Sequence, residues 1–126
     1  MSGVEMLSFR ASGSTWAIPV SDVLEILQSP PLIRLPLLPD SAPGVIGVRG
    51  SAVPAVDVGR LAGDVQATGR TAILAARGAR RIALLVDSVD DIVEGEAPGA
   101  TLLDVGSLLA SFDAQPESLV AEGGIA

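Results

Sequence analysis

Residues 7–27, LSFRASGSTWAIPVSDVLEIL, lie over residues 73–93, ILAARGARRIALLVDSVDDIV, without a gap, at a spacing of 66. Leu7 falls on Ile73, Trp16 on Ile82, Ala17 on Ala83 and Ile18 on Leu84. Val20 falls on Val86, Val23 on Val89, Ile26 on Ile92 and Leu27 on Val93. Self-similarity at a fixed spacing is the signature of a duplicated unit. Residues 7–11 alternate apolar with polar, as a half-buried strand does. Ser12-Gly13-Ser14 reads as a turn, and residues 15–20 as the returning strand. In the second copy, residues 71–76 and 81–86 form a hairpin across 77–80, and residues 91–94 a short strand. Ser21 or Asp22 suits a helix N-cap ahead of Val23, Leu24, Ile26 and Leu27, so a short helix is expected there, stopped by Pro30 and Pro31.

A second match runs at a different spacing. Residues 56–61, VDVGRL, lie over residues 103–108, LDVGSL, at an offset of 47. The second copy is therefore 66 − 47 = 19 residues shorter between Val93 and Thr101. Its missing counterpart in the first copy is the proline loop at 36–43 plus the strand GVIGVRG. Residues 32–35 read as a short edge strand. Residues 44–49 and 52–58 read as a hairpin across Gly50-Ser51. Residues 63–69 read as a polar linker, 95–100 as a loop, 101–105 as a strand and 106–112 as a short helix. The expected fold is mainly β: two small barrel subdomains built from the internal repeat, the second truncated, with short helices. One domain is expected over residues 1–112, with repeat halves 7–62 and 70–112, and a loose tail over 113–126. Two barrels side by side leave a groove suited to a partner helix.

Composition removes several classes of function. The 126 residues are 48% apolar and 2% aromatic, so the core must be aliphatic. The net charge is −7 and every basic residue is Arg, which argues against nucleic acid and against anionic lipid. There is no Cys, no His and no Tyr, so a disulfide framework, a thiol nucleophile and the commonest general base are missing. No cofactor and no metal site is expected. The longest uncharged run, residues 11–21, is about half of what spans a bilayer. No basic segment followed by an apolar one marks a signal peptide, and the cytoplasm is the expected location.

Few residues invite a chemical reading. Asp57 and Asp104 sit in matching Asp-Val-Gly triplets, which suggests an acid dyad sharing one proton. Acid proteases follow that Asp with Thr or Ser, however, and here Val58 and Val105 follow. Each Asp reads better as the cap of the next helix. Asp87, Asp90, Asp91, Glu94 and Glu96 lack the glycine and oxygen spacing of a calcium loop and read as a solvated face. Arg77, Arg80 and Arg81 read as a hairpin tip without an aromatic platform for bases. No P-loop, GxGxxG or GxSxG is present. Arg49 at a strand end could pair bidentately with a partner carboxylate, and Glu25 is a polar residue in an apolar run.

Residues 44–57, GVIGVRGSAVPAVD, resemble the signature of CheW-like domains, approximately G-V-x-N-L-R-G followed by V-P-V-x-D-L. Residues 17–20, AIPV, through 23–26, VLEI, resemble that family's strand and V-x-E-I segment. Residues 82–89, IALLVDSV, resemble its G-L-L-V-D-x-V strand, and residues 102–105, LLDV, its closing L-L-D-L. The likeness runs in order from Leu7 to about Leu109.

The resemblance implies two SH3-like β-subdomains and a non-catalytic scaffold role. It implies two partners: the helical cytoplasmic tip of methyl-accepting chemoreceptors, and the regulatory domain of a CheA-type histidine kinase or another CheW-like protein. By matched position, Val23, Glu25, Gly44 and Arg49 fall in the partner-binding surface. The chain departs from the pattern at Gly47, where the family has Asn, in overall length, and in the 19-residue deficit. A receptor-binding adaptor with weakened or lost kinase binding, of the frizzy-pathway (FrzB-like) kind, fits that deficit. A full receptor–kinase coupling adaptor and a generic SH3-like peptide binder are the alternatives.

Overall fold

Among the described residues, ten strands follow the apolar runs. The structure is a computed structural model that describes residues 4–35, 41–95 and 99–114, with the side chains of the last helix through residue 110. Part of the proline loop (36–40), Glu96 and the tail beyond residue 114 lie outside the described residues.

β1 (Glu5–Ala11) and β2 (Ser14–Pro19) form the first hairpin, and a one-turn 3-10 helix, Val20–Asp22, leads into β3 (Val23–Gln28). β4 (Leu32–Arg34), β5 (Gly44–Val48) and β6 (Ser51–Asp57) follow, then α1 (Val58–Leu61). β7 (Thr71–Arg77), β8 (Arg80–Val86) and β9 (Ser88–Glu94) repeat the opening, and β10 (Thr101–Leu102) precedes α2 (Val105–Ala114). No described helix is long and apolar enough to cross a membrane.

The sheets have the orders β10-β2-β1-β9 and β3-β7-β8-β6-β5-β4. They do not coincide with the two sequence halves. The third strand of each copy crosses over and pairs with the first strand of the other. In β3–β7, Ile26 faces Ile73 and Gln28 faces Thr71. In β9–β1, Ile92 faces Leu7 and Glu94 faces Glu5. Every residue here stands 66 positions from its counterpart, so the register itself is duplicated. The irregularity is duplicated too: one extra residue, Leu24 in β3 and Asp90 in β9, interrupts each ladder. The second offset also holds. β6 runs parallel to β8 with Ala55 facing Ala83, and β10 runs parallel to β2 with Leu102 facing Ala17. The missing 19 residues are thus β4, β5 and the first part of β6.

The expected helix over Val23–Leu27 is a strand. The extra residue explains why its pattern looks helical. Val23 faces Ala75, whose side of the sheet belongs to the core between the sheets. Beyond Leu24 the ladder resumes with Glu25 opposite Leu74, and Leu27 packs into the other core. The bulge therefore lets two residues at an even spacing serve opposite faces, which a regular strand forbids. Smaller differences concern ends. The β5–β6 turn is Arg49-Gly50 rather than Gly50-Ser51, and β10 stops at Leu102, leaving Asp104 to cap α2.

Two cores result. Leu7, Phe9, Ala11 and Ile18 of the four-stranded sheet pack against Ile73, Ala75, Ile82, Leu84 and Val86 of the six-stranded one, sealed by Val105 and Leu109 of α2. Ile46, Val48, Val53, Ala55, Ala72, Leu74, Ala83 and Leu85, with Leu27 and Leu32, form the second, and every strand of the six-stranded sheet contributes to it. A sheet whose strands share one interior is curled around it. β7 and β8 are covered on both faces, which is why LAA and IALLV run apolar without alternation. A fully buried side chain such as Phe9 or Ile82 contributes about 1.5–3 kcal/mol.

Candidate functional site

The sequence singles out four positions, and the structure brings two of them together. The Arg49 guanidinium donates to the Glu25 carboxylate in an ion pair between the β5–β6 turn and β3. Three to four strand spacings separate those elements in the sheet order, about 14–19 Å if the sheet were flat. The pair forms because the sheet curls. Arg49 takes a left-handed backbone, φ +47°, and Gly50 follows at +83°. Two successive positive φ values match the twist of a tight hairpin, normally built with Asn, Asp or Gly at the first position. An arginine there is locally unfavourable. Its placement aims a cationic side chain off the hairpin tip.

The Arg49 side chain is 70% exposed and that of Glu25 32% exposed. A pair this open contributes at most about 1 kcal/mol to stability. What the pair does is hold the guanidinium in one place while leaving most of its five N–H donors to a partner. Leu24 and Ile26 flank Glu25 on β3, 53% and 40% exposed. Glu25 lies opposite Leu74 and Ile26 opposite Ile73, so this edge strand offers a fixed cation and a carboxylate on one face and an exposed aliphatic side chain on the other.

Val23 and Gly44 sit differently. Val23 is half-buried and packs on the core between the sheets, at the lip of this surface. Gly44 is buried in β5 opposite Arg34 and Ala55. A Cβ there would lie 2.0 Å from the Ile33 carbonyl oxygen, so the close approach of β4 requires glycine. Gly47, at the family's Asn position, has open space around it.

The two aspartates of the Asp-Val-Gly triplets are helix caps. Asp57 accepts from the backbone N–H of Arg60 at 3.1 Å and of Gly69 at 3.0 Å. Asp104 accepts from the Ser107 N–H at 3.3 Å. That N–H, with the Ser107 hydroxyl, holds the Asp104 carboxyl below its ordinary range. Among the described residues, no three acidic side chains converge as a metal site would require.

Sequence reasoning missed a second tie. Asp22, in the 3-10 turn, is buried and accepts from the Arg77 guanidinium at 3.0 Å. That hydrogen bond raises the Arg77 pKa, and Asp104 adds to it from α2. Arg77 thus links the turn before β3, the β7–β8 hairpin and the last helix. The hydrophilic linker is also tied down: the Ser12 hydroxyl donates to Asp64, which lowers the Asp64 pKa. Neither link has a local sequence signal, because each joins groups more than 50 residues apart.

The family model for the CheW-like domain matches residues 5–97. A probable chemotaxis protein CheW of Rhizobium etli is 33% identical over 92 residues, covering 71% of this chain and 59% of that protein. The chemotaxis protein CheW of Rhizobium meliloti is 33% identical over 94 residues, covering 72% of this chain and 61% of that protein. The chain thus spans about 60% of the length of these curated relatives. Among solved structures, the scaffolding protein TtCheW from Thermoanaerobacter tengcongensis superposes with a TM-score of 0.68 at 18% identity, covering 75% of this chain and 66% of that one. At that identity the likeness concerns the fold.

Proposed function

The chain belongs to the CheW-like domain family, and from that premise we propose that it is a non-catalytic chemosensory adaptor in the cytoplasm. It binds the helical tip of a methyl-accepting receptor, and its binding to a CheA-type kinase is weakened or lost. The observation that carries this reading is the Glu25–Arg49 pair between exposed Leu24 and Ile26, on the sheet that is complete. A helix presenting aliphatic residues one turn apart with an acidic neighbour suits such a surface. The four-stranded sheet, by contrast, has among the described residues no counterpart of the hairpin in its partner sheet, so a second docking surface there would be altered. The absence of His, Cys and Tyr, and the use of Asp57 and Asp104 as caps, support a binding role over a catalytic one.

Paired calorimetric titrations test it, one with a receptor cytoplasmic tip and one with a kinase regulatory domain. Binding to the receptor tip alone is the expected result. Binding to both at ordinary strength makes the protein a full coupling adaptor. Binding to neither removes the adaptor reading and leaves an SH3-like module for another peptide.

A further inference from the structure

The internal repeat supplies a template for what the four-stranded sheet lacks. In the first copy, β6 lies parallel to β8, β5 pairs with the outer side of β6 (Ile46 opposite Val53), and β4 pairs with β5. In the second copy, β10 lies on β2 in the same register, and among the described residues no strand follows on its outer side. Two consequences appear at matched positions. Ala55 is wholly buried, whereas its counterpart Leu102 is 65% exposed. Glu25 is paired with Arg49, whereas its counterpart Asp91 is exposed and, among the described residues, its carboxylate accepts from the N–H of its neighbour Ile92 at 2.8 Å. No arginine among the described residues pairs with Asp91, and the remaining residues contain no arginine or lysine.

We propose that the open edge of the four-stranded sheet takes a β-hairpin from a partner protein, aliphatic on one face and cationic at its tip. One strand of the hairpin takes the place that β5 holds in the first copy, and its turn takes the place of the Arg49-Gly50 turn. Its outer backbone pairs with β10, its aliphatic face covers Leu102, and its tip cation meets Asp91. An unpaired sheet edge presents a row of backbone donors and acceptors that another strand can pair with. Charge selects among strands: Asp90, Asp91 and Glu94 are exposed along β9, so a basic tip is drawn in and an acidic one repelled.

The chain's own sequence provides the probe, a head-to-tail cyclised peptide of residues 42–55, which carries Arg49 at its turn. It is titrated into the full-length protein labelled with nitrogen-15. The expected result is saturable shifts at Ala17, Asp91 and Leu102, with a Kd below about 1 mM. D91R weakens binding by about tenfold or more, and the same peptide carrying R49D restores it on that variant. Absence of saturable binding overturns the proposal, as does an unchanged affinity in D91R. Shifts centred on Glu25 and Ala55 overturn it by showing that the probe displaces the protein's own hairpin. Release of residues 115–126 on titration identifies that segment as the occupant. A concentration-dependent dimer in sedimentation, with shifts on this face, assigns it to a second copy; either result overturns the partner hairpin.

Discussion

The Arg49 guanidinium reaches from a left-handed turn position to the Glu25 carboxylate, joining two elements that the sheet order keeps apart. Its exposure makes it a poor source of stability and a good presenter of charge. R49A and E25A should each change unfolding free energy by less than about 1 kcal/mol in denaturant titration. Both should weaken receptor-tip binding, R49A by about tenfold or more because a charged hydrogen bond to the partner is lost. A large stability loss with unchanged binding would make the pair structural.

The family resemblance puts Gly44 on a partner surface, yet Gly44 is buried and closely approached by the backbone of β4. G44A forces a Cβ onto the Ile33 carbonyl, and overlap with backbone cannot be relieved by a rotamer change. The expected cost is about 2–3 kcal/mol or more, visible as a lower thermal midpoint. G47A, with nothing within 4 Å of its Cβ, should leave the midpoint near that of the parent. Any binding defect of G44A should then track its loss of folded protein.

The hairpins, both caps, the repeat and the position of the deficit were legible from sequence because each is local or periodic. The helical reading of Val23–Leu27 failed because a bulge at Leu24 imitates helical spacing. The repeat held the contrary signal: the matching segment, Asp91–Glu94, reads as a strand. The exchange of third strands was not legible. Ile26 opposite Ile73 is a pairing over 47 residues, and an aliphatic strand fits its own hairpin as well as its neighbour's. The Asp22–Arg77 tie was hidden for the same reason. Of the site, residue types were legible and the contact between Glu25 and Arg49 was not, since it depends on sheet curl.

Acid should be the only mild pH stress this fold feels. Asp64 and Asp104 titrate below their ordinary range, held by Ser12 and by Ser107. A carboxyl lowered in the folded state stabilises fully above its unfolded value, about 4, and that stabilisation is lost as pH falls through the lowered value. The chain has no His, Cys or Tyr side chain to titrate near neutrality. Thermal midpoints should therefore be flat from about pH 5 to 8 and fall below about pH 4. S12A should move the Asp64 carbon-13 titration upward toward the ordinary value. An unmoved titration would mean that the hydroxyl contact is absent in solution.

The buried Asp22 and the exposed end of Arg77 predict unequal single variants. Their side chains are 10% and 52% exposed. R77A strands a carboxylate with little access to water, whereas D22N leaves an arginine that water can solvate. R77A should lower the thermal midpoint more than D22N does. The double variant should be no worse than R77A alone, since the stranded charge has gone. Equal single effects would show that R77A does not leave the Asp22 carboxylate stranded.

The reciprocal exchange of β3 and β9 predicts how the halves depend on each other. Among the described residues, β3 pairs only with β7, and β9 only with β1. A fragment ending in the exposed linker near Val65 keeps the β1–β2 hairpin but leaves β3 without a partner and Phe9 and Ile18 without the opposing sheet. The complementary fragment leaves β9 unpaired in the same way. Each half alone should lack dispersed amide resonances, while an equimolar mixture should recover the native spectrum as a one-to-one complex. The fragments meet through four strand pairs, β1–β9, β2–β10, β3–β7 and β6–β8, and a shared core, so assembly should be cooperative, with no state in which one sheet is formed and the other is not. A fragment that folds alone as a stable monomer would show that the crossed strands are a late embellishment on an independent half.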